Sequence, residues 1–264
     1  MTSQVAENLL FSQFSSKEFE VISDILSSLF TTSKIELTAL YKRLNDDFDN
    51  SCPSPIFVDR AFFTSMDEGF QAIYAQSPVI AVDLPSILEL DNGDINKPTV
   101  VILGQDPKND HDFENIIVGT PYALHSKECR IKHTKRYFEM VFVLLSLGYR
   151  VYLTDIFKVW VCDPTRPYSR CKLPRIDQEK FFHILKLEFQ AVKPVALITW
   201  GNEAANSLSS VNIEVPHLKF LHPGGAANGA WKRLLGKSPT DANKLEYWKT
   251  RIFESLSGLG AIEI

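Results

Sequence analysis

The sequence predicts an α/β protein: a three-layer α/β/α sandwich with a short, mainly parallel central sheet, preceded by a helical extension. From Thr99 onward, short apolar runs alternate with stretches of helical periodicity. These runs are apolar nearly throughout, which is typical of parallel strands covered on both faces. The first 95 residues have helical spacing instead, and they carry no motif with a chemical meaning.

The N-terminal extension, residues 1–95, is predicted to be helical. Apolar residues recur at helical spacing after Ser16, which is a candidate N-cap. Residues 33–36 have the form of a capping box, so a second helix should begin there. The proline-containing segment 51–55 should end this helix, and a further helix is predicted over 60–75.

The α/β unit is predicted to cover residues 96–264. Its strands and helices should alternate, with Gly148 ending one helix and Pro194 following the end of the next. The predicted strands are 99–103, 150–154, 195–200 and 218–221. The predicted helices are 134–147, 177–192, 201–210 and 242–256.

Composition limits the class of protein. A length of 264 residues fits one domain plus an extension, and 45% hydrophobic with 23% charged residues is ordinary for a globular protein. No apolar run is long enough to span a bilayer, and the first residues lack a signal-peptide pattern. The four cysteines form no CxxC pair, which fits a reducing compartment. We expect a cytoplasmic protein that acts as a monomer without membrane contact.

Two polar turns follow predicted strands. Residues 104–107, with the sequence GQDP, place Asp106 behind the first strand of the α/β unit. Residues 222–225, with the sequence HPGG, place His222 behind the last one. Turns at the carboxyl ends of parallel strands open into the crevice where ligands bind. An acid and an imidazole there suit hydrolysis of a bond whose leaving group takes negative charge, although both are also ordinary turn residues.

Five segments, in the same order along the chain, resemble motifs of the uracil-DNA glycosylase superfamily. They are GQDP at 104–107, GTPY at 119–122, YLTDIFK at 152–158, WGNEA at 200–204 and His-Pro at 222–223. The likeness spans about residues 97–235 and leaves the N-terminal third unexplained. It implies a monofunctional DNA N-glycosylase, which flips a pyrimidine nucleotide and hydrolyses its glycosidic bond to leave an abasic site.

The resemblance also implies roles for individual residues. Asp106 would stabilise the cationic sugar and orient or deprotonate the attacking water. His222 would donate a hydrogen bond to O2 of the departing base, and Gln105 would contribute to the base pocket. Tyr122 is the candidate for stacking on the flipped base, with Phe113 as the competing candidate.

Two residues of the implied base pocket depart from the family pattern. Most members carry asparagine where this chain has Asp155. An ionised Asp155 would accept from the exocyclic amine of a cytosine-like or modified base, a buried and protonated one would imitate an amide, and a loop-capping role is the third alternative. Lys108 replaces a tyrosine, so either the pocket differs beside C5 of the base or Lys108 is a solvated loop residue.

DNA is the predicted partner, although the net charge of the chain is −4. Basic residues cluster in two segments that flank the proposed crevice in chain order and could contact phosphates. The first segment contains Lys127, Arg130, Lys132, Lys135 and Arg136, and the second contains Arg166, Arg170, Lys172 and Arg175. Gly224 and Gly225 would permit close approach of a phosphate or a base.

Two further features of the superfamily have weak counterparts. Ala226 stands where members often carry a bulky wedge residue, and Trp231 is a substitute only if the C-terminal helix does not bury it. Cys162 and Cys171 lie roughly where two ligands of an iron–sulfur cluster fall in some branches, but the N-terminal pair is missing. We therefore expect no metal and no cofactor.

Two other hypotheses are compatible with the sequence. The chain could be a DNA-binding module that keeps the fold without the chemistry, in which case DNA binding would survive Asp106→Asn and His222→Ala. It could also be an unrelated α/β hydrolase or nucleotide-binding enzyme, although it has neither a GxGxxG nor a Walker-type sequence.

Overall fold

The structure of the protein is a computed structural model. It describes residues 12–30, 32–50, 56–58, 79–91, 96–108, 116–119, 122, 124, 126–163 and 171–257. Within these ranges, no helix has the length and apolar character that crossing a membrane requires. The predicted helix over 60–75 and the residues Phe113, Arg166 and Arg170 lie outside the described residues.

In the described ranges, two helices come first, five strands follow, and helices and strands are interspersed after residue 126. The strands are β1 (Ile56–Val58), β2 (Val79–Asp83), β3 (Ser86–Leu88), β4 (Thr99–Gly104), β5 (Ile116–Gly119), β6 (Arg150–Asp155), β7 (Val159–Val161), β8 (Ala196–Trp200) and β9 (His217–Phe220). The helices are α1 (Ser16–Ser27), α2 (Lys34–Asp49), α3 (Lys127–Ile131), α4 (Lys135–Ser146), α5 (Arg175–Val192), α6 (Asn202–Leu208), α7 (Asn228–Leu235) and α8 (Asp241–Leu256).

A five-stranded sheet with the strand order β3-β6-β4-β8-β9 forms the centre of the fold. The strands β6, β4, β8 and β9 are parallel, and β3 is antiparallel to β6 at one edge. These four parallel strands are the ones that the apolar runs predict, and each bound lies within one residue of the prediction. The predicted fold class, a three-layer α/β/α sandwich with a short, mainly parallel sheet, is confirmed.

Alternate residues of the central strands face two separate cores. Val101 and Leu103 of β4 share a core with residues of α1, α2, α5 and α6. Their neighbours Val100 and Ile102 share a second core with residues of α4 and α8. This division follows from the period of two in a strand, which sends successive side chains to opposite faces. The N-terminal helices therefore form part of one covering layer.

A second, four-stranded sheet has the order β1-β5-β2-β7 and is absent from the sequence-based prediction. In it, β2 is parallel to β5 and antiparallel to β7. The strands β1, β2 and β3 all precede residue 95, so the prediction of a helical extension over 1–95 is wrong at residues 56–58, 79–83 and 86–88. The pairings of these three strands with β5, β6 and β7 cross the predicted boundary at residue 95.

The two N-terminal helices begin with capping boxes. The Ser15 side chain accepts from the backbone N–H of Glu18, whose carboxylate accepts from the Ser15 N–H in return, so the N-cap is one residue earlier than the predicted Ser16. Ser33 and Glu36 form the same reciprocal pair at the start of α2, as the sequence predicts. Each box satisfies two backbone donors that a helix start would otherwise leave unpaired.

Glu18 also connects α1 to the central sheet through Arg150, the first residue of β6. The two terminal nitrogens of Arg150 lie 2.6 and 2.9 Å from the two carboxylate oxygens of Glu18. Partial burial by itself raises the pKa of Glu18, but the hydrogen bonds from Arg150 and Ser15 outweigh it and lower the pKa to about 2. The pair is bidentate and charge-assisted, which is the strong form of this interaction.

We expect Glu18→Gln to lower the free energy of unfolding by about 1–2 kcal/mol at pH 7, because it removes the charge that pairs with Arg150. Partial exposure of the ion pair to water keeps this effect modest. A carboxyl group whose pKa is lowered by folding stabilises the protein above its ordinary pKa, and this contribution is lost as the pH falls toward 2. Denaturant unfolding at several pH values should therefore show the difference shrinking below about pH 4.5. Glu20→Gln, at an exposed position of α1, is the control. A difference that does not change with pH would contradict this assignment.

Candidate functional site

The first polar turn follows β4, the middle strand of the central sheet. The carbonyls of Gly104 and Gln105 accept hydrogen bonds from the backbone N–H groups of Ile156 at 3.1 Å and Phe157 at 3.0 Å. The chain after β6 thus holds this turn in place. Asp106 is partly exposed directly after the end of β4, where the sequence predicts it. A rigid strand end therefore presents the carboxylate.

The second polar turn follows β9 and is braced by three donors. The carbonyl of Pro223 accepts from Arg136 at 2.9 Å and from Nζ of Lys244 at 3.0 Å. Trp231 donates from Nε1 to the carbonyl of His222 at 3.0 Å. Both Lys244 and Trp231 are only 1% exposed, so water does not compete for these contacts. These braces fix the backbone that carries His222.

The imidazole of His222 is held as a neutral hydrogen-bond donor. The backbone N–H of Gly224 donates to Nδ1 at 3.0 Å, so the proton of the neutral ring is on Nε2. Burial lowers the pKa of His222, and the positive charges of Arg136 and Lys244 lower it further. Among the described residues, no hydrogen-bond partner of Nε2 is found. The Nε2–H group is therefore a preorganised donor.

Gly224 leaves the space that the ring of His222 needs. A Cβ at Gly224 would lie 2.9 Å from Nδ1 and Cε1 of His222 and 2.9 Å from the hydroxyl of Tyr137. A Cβ at Gly225 would have its nearest neighbour at 3.9 Å, in Asn228. The two glycines thus differ in their surroundings. Gly224 adjoins the His222 ring, whereas a Cβ at Gly225 would make only an ordinary van der Waals contact.

Tyr122 lies between His222 and the end of β4. Its ring stacks on that of Tyr137, with the two ring centroids 4.6 Å apart. The centroid of the His222 ring lies 6.2 Å from that of Tyr122. Its φ angle is +62°, a left-handed conformation that costs a bulky residue roughly 1–2 kcal/mol. The buried Tyr122 hydroxyl has no hydrogen-bond partner among the described residues. Because Tyr137 covers one face of the ring, a base would have to stack on the other.

Asp155, the last residue of β6, lies opposite Gly104 in the β4–β6 ladder. A Cβ at Gly104 would clash with Oδ1 of Asp155 and lie 2.8 Å from the hydroxyl of Tyr122, so the glycine leaves room for both side chains beside its α-carbon. Burial raises the pKa of Asp155 well above its ordinary value, and the charge of Asp83 raises it further against the opposing effect of Lys158. This favours the protonated form over the ionised one.

We expect Asp155→Asn to make the protein more stable relative to wild type as the pH rises. A carboxyl group whose pKa is raised by folding contributes stability below its ordinary pKa, and that stability is lost as the pH rises through the folded value. Asparagine has no such loss, so the difference should grow by up to about 1.4 kcal/mol per pH unit above roughly pH 4. Melting temperatures from pH 4 to 9 measure it. A constant difference would mean that Asp155 is already ionised at neutral pH.

A cleft of about 170 Å³ opens beside Asp106. Its walls include Gln105, Phe157, Trp160 and Ser207, and Nε2 of Gln105 lies 3.2 Å from Oγ of Ser207 across its border. Asp155, Tyr122 and His222 of the predicted base pocket do not line this cleft. Asp155 and Tyr122 lie beside Gly104, and His222 lies beside Gly201 at the end of β8. The cleft and this cluster adjoin at the end of β4, where Asp106 stands.

The basic residues of the predicted DNA surface differ in accessibility. Arg130 is wrong for that role, because it is 0% exposed and its guanidinium lies 4.3 Å from the ring of Phe48. Lys127 is partly exposed, and Lys132 is exposed and forms an ion pair of 3.0 Å with Glu128. Arg136 braces the His222 turn instead of facing solvent freely. The accessible part of this cluster is therefore smaller than the sequence suggests.

Two other predicted features have clear positions. Lys108 is exposed directly after the buried Pro107, at the rim of the site. Trp231 is buried and donates to the His222 turn, so it does not serve as a substitute wedge in this conformation.

No protein-family model matches this chain, and no curated protein matches it.

Proposed function

We propose that the protein is a DNA N-glycosylase, which hydrolyses the N-glycosidic bond of a flipped pyrimidine nucleotide and leaves an abasic site. The observation that carries the proposal is the neutral His222, whose Nε2–H donor shares one edge of the sheet with Asp106. Only β8 separates the two strands that carry these residues, so their backbones are about 10 Å apart, or two strand spacings. We propose that a pyrimidine nucleoside is bound between their side chains.

In the proposed reaction, water attacks C1′ of the deoxyribose while the bond from C1′ to N1 of the base breaks. Asp106 orients the water, stabilises the positive charge on the sugar and takes the water proton. The bonding electrons leave with the base, and Nε2–H of His222 donates to O2, where the negative charge collects. Asp106 then releases its proton to solvent and the base anion takes one from solvent, which restores the carboxylate and completes the hydrolysis. A neutral imidazole suits this role because it stabilises the anion as a hydrogen-bond donor.

Asp155 would read the edge of the base while Tyr122 covers its face. A neutral acid offers one O–H donor and one carbonyl acceptor. It can therefore pair with O4 and N3–H of uracil or, with the proton on its other oxygen, with the amino edge of a cytosine-like base. Gln105 would complete the pocket, and the exposed Lys108 leaves the side near C5 open to a modified base.

DNA would bind through the accessible basic residues around the site. Lys127 and Lys132 are accessible, and Arg166 and Arg170 belong to the second predicted cluster. Such contacts position the duplex without reading its sequence. We propose that the protein acts as a monomer in the cytoplasm without a cofactor.

A base-release assay tests this function. Duplexes with a single uracil, cytosine or modified cytosine are incubated with the protein, abasic sites are cleaved with alkali, and free bases are identified by mass spectrometry. We expect release of one of these bases, with strand cleavage only after alkali. If no base is released and Asp106→Asn binds DNA as wild type does, the chain is a binding module without the chemistry.

A further inference from the structure

A fully buried ionic network lies beneath the proposed base pocket. Nζ of Lys158 is 2.9 Å from a carboxylate oxygen of Glu188 and 3.3 Å from Oδ2 of Asp83, and all three side chains are 0% exposed. Glu188 also accepts a hydrogen bond of 2.8 Å from the hydroxyl of Tyr152. One ammonium group is thus shared by two carboxyl groups. When both are ionised, the network carries a net negative charge.

This network is joined directly to Asp155. Oδ2 of Asp83 accepts hydrogen bonds of 3.0 Å from the backbone N–H of Asp155 and from the hydroxyl of Thr154. The ion-pair contacts of Lys158 go to Asp83 and Glu188. A charge on Asp155 would therefore be a third negative charge around a cation that two carboxyl groups already share. Ionisation of a buried group without its own partner is strongly disfavoured.

The other titratable groups around Asp155 are phenols. Tyr122 faces it across the α-carbon of Gly104, and burial raises the pKa of its hydroxyl well above the ordinary value, with the charge of Asp155 adding to the effect. Tyr41 and Tyr152 lie deeper in the network, and burial raises the pKa of each in the same way. These phenols stay uncharged at neutral pH. Among the described residues, Lys158 is the cation that acts on Asp155.

We infer that Asp83 and Glu188 are positioning residues, which take up the charge of Lys158 and thereby hold Asp155 as a neutral acid at the base pocket. This inference rests on the proposed function for its consequence, the reading of a base. A neutral Asp155 accepts and donates, so it pairs with the keto edge of uracil or the amino edge of cytosine. An ionised Asp155 only accepts, so it would reject the keto edge. The network therefore decides which pyrimidine edges the pocket admits.

The state of Asp155 is measured in the free protein by infrared spectroscopy. The C=O stretching band of a protonated carboxyl group should be present in wild type at neutral pH and reduced in Asp155→Asn. Asp83→Asn keeps an acceptor oxygen but removes one negative charge, so it should move the ionisation of Asp155 to lower pH by about 1–3 units. Glu188→Gln is a second variant and should move it in the same direction. Tyr152→Phe removes a hydrogen bond from the network without changing its charge, and it should leave the ionisation of Asp155 unchanged.

Base release is measured in parallel from pH 6 to 10 on duplexes with a single uracil, cytosine or modified cytosine. In wild type, the rate of base release should fall at alkaline pH. In Asp83→Asn the fall should begin at lower pH, and in Asp155→Asn the alkaline fall should be absent. If base is released but Asp155 is ionised at neutral pH, or if Asp83→Asn and Tyr152→Phe behave alike, the inference about the network is wrong and the glycosylase function stands. If no base is released from any duplex while the infrared shifts are found, the proposed function is wrong and the network assignment stands.

Discussion

Asp106→Asn should slow base release by about 10²–10⁴-fold, which is the usual contribution of a positioned general base. The amide keeps the size of the carboxyl group, but it carries no negative charge to stabilise the sugar cation and takes no proton from water. The melting temperature, measured in parallel, separates a loss of chemistry from a loss of folding. Single-turnover kinetics on a duplex with the released base measure the effect on the chemical step.

A matched control is Asp46→Asn, which removes an exposed carboxylate from α2 far along the chain from both polar turns. It should release base at the wild-type rate. DNA affinity of Asp106→Asn should stay equal to that of wild type or increase slightly, because a negative charge near phosphates is removed. An Asp106→Asn protein that releases base as fast as the Asp46→Asn control would exclude Asp106 from the reaction.

Gly224→Ala should slow base release by about 10²–10³-fold, as much as removing the His222 donor itself. The new methyl group would lie 2.9 Å from two atoms of the His222 ring and 2.9 Å from the Tyr137 hydroxyl, so the ring has to move. That movement breaks the hydrogen bond from the Gly224 N–H to Nδ1. The His222 ring then no longer favours the tautomer with the proton on Nε2. Donors act in such sites through their preorganised direction, so a small rotation is costly.

Gly225→Ala is the control, because its Cβ meets nothing closer than 3.9 Å. It should retain nearly the full rate of base release. His222→Ala provides the reference loss, and the double variant Gly224→Ala/His222→Ala should be no slower than His222→Ala alone. Equal rates for the two glycine variants, or an additive loss in the double variant, would show that Gly224 does not act through His222.

Strand periodicity made the central sheet predictable. The strands β4, β6 and β8 are buried on both faces, and each contains at least three consecutive apolar residues, so the pattern identifies them without help from the tertiary structure. The second sheet was missed for the opposite reason. Its strands have only three to five residues and pair with segments distant in the chain, so neither their length nor their spacing distinguishes them from loops.

The candidate site was predictable where a residue stands in a turn after a strand, as for Asp106 and His222. The sequence does not show which charged side chains contact each other in the folded protein. Arg130 looks like a surface cation in a basic segment, yet its guanidinium stacks on phenylalanine rings in the interior. Lys158 and Glu188 look like ordinary helix and turn charges, yet they meet in the core. The only sequence signal for such pairs is a charge at an apolar-face position, here in the middle of α5.

The helices α1 and α2 cannot be trimmed away to leave a minimal protein that carries the five motifs. Leu26, Leu37 and Leu44 cover the same side of β4 that Val101 and Leu103 present, and Tyr41 adds a buried hydrogen bond to the carbonyl of Pro85. Without them, an apolar sheet face would be open to water and prone to self-association. These two helices thus cover one face of the central sheet, and base release has to be assayed on a protein that contains them.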